Sequence, residues 1–373
     1  MENGLGYDIS FIDFNNYVIP DLVTYHTKKM KMYGENNSGF RYIKERYIGS
    51  ITNGSVINSY VKYIIGEGLN DKSGFNINKY ISKKDIRLIV QDFKLYGQFS
   101  LQVIWSQGSK LLKEAPKPIL FKYINTEKLA VETDKYGEVS GYYYCFDWDK
   151  QSTYKPKLYK KFDGVYKDEA IEIITFDRTS SEPYYPHPDY LAGLQWAHIE
   201  EELSNSCYNH IMNGFSMGTI IKCKGGIPPT EELREIYKNK ILRSLTGSDN
   251  RNKTTVLFTD GDTGDIDIEK IQVDQIDTQL VWFEEAAKRA ILMSHEVVNP
   301  ILFGVKDSNG FSNNADEMVQ ALKTLYRSNI NPMREIIIDA LEYLFKLSEP
   351  NIQLEFKDFE ELNIVDTQKN NQQ

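Results

Sequence analysis

Cysteine is scarce in this chain, with three in 373 residues, and Cys145, Cys207 and Cys223 include no short-spaced pair. An odd, scattered set builds neither a disulfide framework nor a zinc knuckle, so a reducing cytoplasm is the expected setting. Long apolar runs are missing too. No stretch approaches the roughly 18 apolar residues of a membrane span, and the opening MENGLGYDIS lacks the basic region and apolar run of a signal peptide. The expectation is an unexported protein with no membrane partner. The glycosylation-like strings at Asn36, Asn53 and Asn252 carry no weight in that setting. There is no excess of positive charge, since the formal net charge is -9. A protein that grips DNA by neutralising many phosphates is basic over its binding face. Any DNA partner is therefore expected to make sparse or sliding contacts.

Catalytic signatures are equally thin. No G-x-x-x-x-G-K-[ST] loop exists to cradle a nucleotide, so ATP hydrolysis is not expected. His295-Glu296 has no second histidine at the H-E-x-x-H spacing, and no serine sits in a G-x-S-x-G context. His198 and His210 lie on one expected helix with Glu201 and Glu202 between them. They are more than three turns apart, too far to share one ion within a subunit. The acidic string from Asp260 to Glu269 puts glycine and glutamate out of frame for a calcium loop and reads instead as a turn. The expectation is no catalytic residue, no metal site and no cofactor.

What is present is a large ordered chain, 41% hydrophobic and rich in Tyr and Phe, long enough for two or three packed regions. Tyr47 to Ile65 carries Ile48, Ile51, Val56, Tyr60 and Ile64 at helical spacing and stops at Gly66. Ser82 caps a helix to Tyr96 with Ile86, Ile89, Val90 and Phe93 inward. Strands follow at Phe99–Trp105, Ile119–Tyr123, Leu129–Thr133, Gly141–Trp148 and Ala170–Phe176, the third and fourth joined by the turn Asp134–Gly137. Beyond Pro183, Pro186 and Pro188 the pattern becomes long helices. Residues 189–213 bear the stripe Trp196, Ile199, Leu203, Cys207 and Ile211. A strand at Gly214–Cys223 and a helix capped by Thr230 come next, followed by an expected hairpin of Thr254–Thr259 with Ile266–Val273. A second long helix, Thr278–Val298, buries Leu280, Phe283, Ala287, Ile291 and Val297. After the polar loop Lys306–Asn313, Asn314 and Glu317 form a capping-box-like start to the last helix. Pro332 should kink or break it near Asn331. A strand at Asn351–Phe356 precedes an acidic, then Asn/Gln-rich tail.

This order of parts, with VKYIIGEGL from Val61, GYYYCFDW from Gly141, YPHPDYLAGLQW from Tyr185, NHIMNGFSMG from Asn209, VVNPILFG from Val297 and GFSNNADE from Gly310, resembles the portal (head-tail connector) family of tailed bacteriophages. The resemblance spans roughly residues 40 to 356. It implies an α+β portal fold with an α/β wing region (1–188), a first stem helix (189–215), a small α/β clip (216–275) and a second stem helix (276–304). A channel loop (305–314), a kinked helix with a return strand of the wing (315–358) and a frayed tail (359–373) complete it. It further implies a non-enzymatic ring, a dodecamer, at one capsid vertex of the virion, assembled in the host bacterial cytoplasm. Double-stranded DNA would pass through it during packaging and ejection. The large terminase subunit, the major capsid protein and head-completion or tail adaptor proteins would be its partners. Lys306, Asn309, Phe311, Asn313 and Asn314 would meet the duplex. Many portals continue into a helical crown, which the residues after 358 would supply only as a vestige. Two other readings stand beside this one: a head-tail adaptor or tail-ring protein, and a metal-dependent nucleic-acid-processing enzyme.

Overall fold

The computed structural model describes residues 24–26, 30–108, 115–167, 169–178, 180–212, 218–224, 230–245, 254–259, 266–271, 276–305 and 315–359. They fall into two compact units. Among the described residues the smaller is 199–286 and the larger is the remainder.

In chain order the elements are β1 (Thr24–His26), β2 (Met30–Tyr33), α1 (Ser38–Gly49), α2 (Ile51–Ile65), β3 (Gly68–Asp71), α3 (Lys83–Tyr96), β4 (Gln98–Trp105), β5 (Pro118–Ile124), β6 (Leu129–Thr133), β7 (Val139–Tyr144), β8 (Lys157–Lys160) and β9 (Ile171–Asp177). Then come α4 (Leu194–Met212), β10 (Gly218–Lys224), α5 (Glu231–Leu245), β11 (Thr254–Thr259), β12 (Ile266–Ile271), α6 (Ile276–Ser294), α7 (Ala315–Leu325), α8 (Asn331–Phe345) and β13 (Leu354–Lys357). The chain is thus a mixture of helices and largely antiparallel sheets, as the α+β expectation had it.

Among the described residues of the larger unit three sheets run β1-β2-β6-β7-β8, β5-β4-β9 and β13-β3, each pair of neighbours antiparallel. Helix α3 forms where the sequence placed it. Ser82 Oγ accepts the Asp85 amide at 3.0 Å, and Gly97, at φ 75°, donates its N–H to Phe93 O at 2.9 Å. Ile86, Ile89, Val90 and Phe93 enter one apolar cluster with Tyr60, Phe99, Phe121, Leu341 and Phe345.

Three expectations need correction. The single helix read over Tyr47–Ile65 is two helices, because Ser50 adopts an extended backbone and its Oγ caps α2 by accepting the Asn53 amide at 3.1 Å. The break rotates Ile48 and Ile51 out of the apolar stripe and leaves both exposed. Gly54 permits the tight bend, since a Cβ there would lie 2.7 Å from Tyr47 O. In the smaller unit the hairpin of 254–259 with 266–273 does not form. Strand β10 lies between the two, parallel to β11 and antiparallel to β12. Ile220, Ile221 and Cys223 place apolar residues at both strand parities, the pattern of a central strand, and α5 supplies the crossover that a parallel pair requires. Finally, the helix at Pro332 does not break. The preceding turn, Tyr326–Ile330, widens to π geometry, with the Asn331 N–H reaching Tyr326 O, which accommodates a residue that cannot donate to the helical ladder.

Strands β13 and β3 join distant parts of the chain, and Arg334 on α8 secures the same place. Its Nε donates to Ile64 O and its Nη2 to Tyr63 O, both at 2.9 Å. Those are carbonyls at the end of α2, where helical partners run out. Its Nη1 pairs with Asp358, and the guanidinium lies against the rings of Tyr326 and Phe356. Replacing Arg334 by Met orphans two carbonyls and a carboxylate. It should lower unfolding stability by about 3 kcal/mol, read as a shift in the urea midpoint; a loss below about 0.5 kcal/mol would contradict this account.

Candidate assembly surfaces and the joint beneath them

Helices α4 and α6 carry the chain out of the larger unit and back. Both ends of this excursion meet at one buried cluster. Lys94 on α3, with its side chain 1% exposed, donates to both oxygens of Asp189 at 2.8 and 2.9 Å. Its ammonium lies 4.2 Å from the centroid of Tyr60 and 5.5 Å from that of Tyr190. The Tyr190 hydroxyl donates to Leu95 O, and the Tyr60 hydroxyl to His295 O, each at 2.8 Å. The His295 ring stacks on Tyr190 with centroids 4.3 Å apart. At Gly193 an added Cβ would fall 2.1 Å from Ser294 Oγ, so glycine alone lets the start of α4 meet the end of α6.

Burial governs the charges here. It draws the Lys94 ammonium below its usual range, opposed by Asp189. His295 is held well below ordinary histidine, first by burial and then by Lys94. Two residues before Lys94, Asp92 is buried against Tyr123 and Thr126, and burial raises its carboxyl to about 7 despite hydrogen bonds from both.

Helix α6 ends in a Schellman arrangement. The Val297 N–H bonds Leu292 O and the Glu296 N–H bonds Met293 O. Glu296, at φ 55°, occupies the left-handed position that glycine favours, at a cost of about 1 kcal/mol. The chain then forms a turn at Pro300–Phe303, capped by Asn299 Oδ1 on the Ile301 amide at 2.9 Å, and leaves through Gly304 at φ 79°. The sequence-derived channel residues Lys306, Asn309, Phe311, Asn313 and Asn314 lie outside the described residues.

The apolar residues of α4 and α6 divide into a buried set and an exposed set. Leu194, Ala197, Ala287 and Ile291 are buried. Further along α4, Cys207 is exposed, as are Tyr208, Ile211 (65%) and Met212. On α6, Val281, Trp282 (60%) and Phe283 (41%) are also exposed. The expectation that Phe283 is buried therefore fails for the single chain, where among the described residues its face is uncovered. On α5, Leu233, Ile236 and Tyr237 are exposed as well.

The described residues also form a polar cleft. A 270 Å³ cleft lined by Arg41, Lys44, Glu127, Lys128, Asp147 and Asp149 among others is self-neutralised, with Arg41 bound to Asp149 and Lys44 to Glu127. His198 meets Arg46 through its Nδ1. Among the described residues no group of three His, Cys, Asp or Glu side chains could hold a metal ion, and no helix is long and apolar enough to cross a membrane.

No protein-family model matches the sequence, and no curated protein matches it. Solved structures do match. A chain of the neck of a native gene transfer agent particle, computed with C12 symmetry, aligns at TM-score 0.57 and 14% identity over 90% of this chain and 87% of that one. A chain of the native gene transfer agent virion aligns at the same TM-score and identity over 88% and 87%. An HK97 family phage portal protein from Corynebacterium diphtheriae aligns at TM-score 0.47 and 8% identity over 86% and 95%. The fold is shared with a chain built into a gene transfer agent particle. More particularly, it is the fold of a chain in the neck of a gene transfer agent.

The buried Asp92 gives a pH signature. Its folded pKa lies above the unfolded value near 3.9, so its contribution is full below pH 4 and is lost as pH rises towards 7. Asp92→Asn should remove a decline of about 1 kcal/mol per pH unit between pH 5 and 7. The measurement is urea unfolding of both proteins across that range, and parallel curves would show that Asp92 titrates normally.

Proposed function

We propose that this chain is the subunit of a portal ring at one vertex of a phage-like capsid. Twelve copies would surround a conduit for double-stranded DNA during packaging and ejection. In that assembly the larger unit is the wing, α4 and α6 are the stem, and residues 216–275 are the clip. The clip would dock the large terminase subunit during packaging and head-completion or tail adaptor proteins afterwards, while the wing would meet the major capsid protein. The role is mechanical rather than catalytic, and the place is the virion.

The observation that carries this reading is the uncovered apolar surface of the smaller unit. Tyr208, Ile211 and Met212 on α4 and Val281, Trp282 and Phe283 on α6 are all large, apolar and exposed in the single chain. A concentration of large exposed apolar side chains of that kind marks an interface. A head-to-tail contact repeated by rotation closes into a ring. The shared fold with a chain of necks computed with twelve-fold and six-fold symmetry supports a ring. The charge of -9 suits a bore that does not hold its cargo, because phosphate-neutralising contacts would retain the duplex rather than let it slide.

Carboxylates placed in this surface must be desolvated in any assembly. Ile211→Asp and Trp282→Asp should each raise the concentration needed for assembly at least about a hundredfold, equivalent to roughly 3 kcal/mol per contact. Electron micrographs should show rings with a central hole for the parent chain and dispersed subunits for the variants. Rings undiminished in both variants would refute the stem interface.

A further inference from the structure

The turn after α6 holds a histidine whose surroundings oppose an added proton. The Asn53 amide is oriented by its own Nδ2, which donates to Arg46 O at 3.1 Å. That points Asn53 Oδ1 at His295 Nε2, 2.8 Å away, so Nε2 carries the ring hydrogen. Nδ1 is then the bare nitrogen, and it is buried with no hydrogen-bond partner among the described residues. A proton added at Nδ1 would make a donor with no acceptor, on a residue only 2% exposed.

The surroundings oppose the added charge. From α2 the ring meets Asn53 and Tyr60, and from α3 the Lys94 ammonium, already paired with Asp189. Arg178 adds a further positive charge acting on Lys94. From the segment before α4 comes Tyr190, whose face favours a cation but already lies beside Lys94. The neighbouring carboxylate, Glu296, accepts instead from Asn329 Nδ2 at 3.3 Å. Glu296 is also the residue held in the left-handed conformation at φ 55°, so the same turn stores backbone strain that opening would release.

We propose that the turn His295–Asn299 is an acid-opened latch: a solvent proton taken up at His295 Nδ1 drives the imidazolium out of its box and frees the end of α6. The latch belongs to the fold of the larger unit and is independent of ring assembly, so it stands or falls separately from the conduit reading. Closed, the imidazole is neutral; open, it titrates as an ordinary histidine near pH 6.5. The sign follows from proton binding. Below pH 6.5 only the open form gains a proton, so the opening constant rises about tenfold per pH unit until the closed form itself protonates.

The test is amide hydrogen exchange by mass spectrometry on the full chain at pH 7.5 and 5.5, corrected for intrinsic rates. Peptides covering residues 292–304 should open about tenfold more at pH 5.5, while peptides from α3 should not. His295→Gln keeps a donor towards Asn53 and cannot titrate, so its acid response in the same peptides should vanish. Glu296→Gly relieves the left-handed strain and should slow exchange about fivefold at both pH values. In the parent chain, exchange of the His295 C2 hydrogen should give a pKa well below 6.5, an arm that does not depend on any variant folding. An ordinary pKa there, no acid acceleration at 292–304, or an equal acceleration in His295→Gln would overturn the latch.

Discussion

A buried ammonium needs a counter-charge in one place, and Lys94 imposes that need on the whole chain. Its partner, Asp189, lies five residues before α4, and the aromatic walls around it come from α2 and from Tyr190. Tyr60 also holds the carbonyl of His295 at the end of α6. Outgoing and returning segments are thus tied to the same two helices. Because the ends of the excursion are pinned together, the excursion itself can be long. Loop closure costs only about 0.6 kcal/mol more for each doubling of length, and residues 199–286 form a compact unit of their own. The cluster ranks among the costly features of the fold, since breaking one side of such a pair leaves an uncompensated charge.

The same logic explains which features were legible in the sequence. Helix α3 was readable from Ser82 to Gly97 because both caps and the inward stripe are local. The β6–β7 hairpin was readable from Asp134–Gly137, whose turn is made by Asp134 accepting from Tyr136 and Glu138. Strand β3 was not. Its GLND sequence has little strand propensity, and it exists because β13 pairs with it from the far end of the chain. Strand β8, short and lysine-bounded, is similarly a product of its neighbour β7. The parallel pairing of β10 with β11 depends on a crossover rather than on adjacency, which is why proximity along the sequence suggested the wrong hairpin. Ser50 broke a helix that periodicity alone continued.

The candidate site divides in the same way. The channel residues from Lys306 to Asn314 came from resemblance, and no local chemistry marks them. The buried joint was missed because its members, Asn53, Tyr60, Lys94, Asp189, Tyr190 and His295, are scattered over four segments and look ordinary one by one. A signal did exist in the His295-Glu296 pair, read only as an incomplete metal motif. Its informative property was a non-glycine residue at a helix end just before Pro300, where the turn demands a left-handed backbone. The exposed ends of the stem stripes were visible as apolar periodicity, but periodicity does not say whether the cover comes from the same chain or another.

An apolar face repeated around an axis gives either a closed ring or an open helix, and only closure makes a conduit. The direct measurement is the native mass of the purified full chain over a wide concentration range. The account predicts a single dominant species at one fixed multiple of 43.2 kDa, about twelve if the proposed ring is right, unchanged on dilution until it falls apart. A ladder of masses that grows with concentration, or a monomer at every concentration, would contradict it.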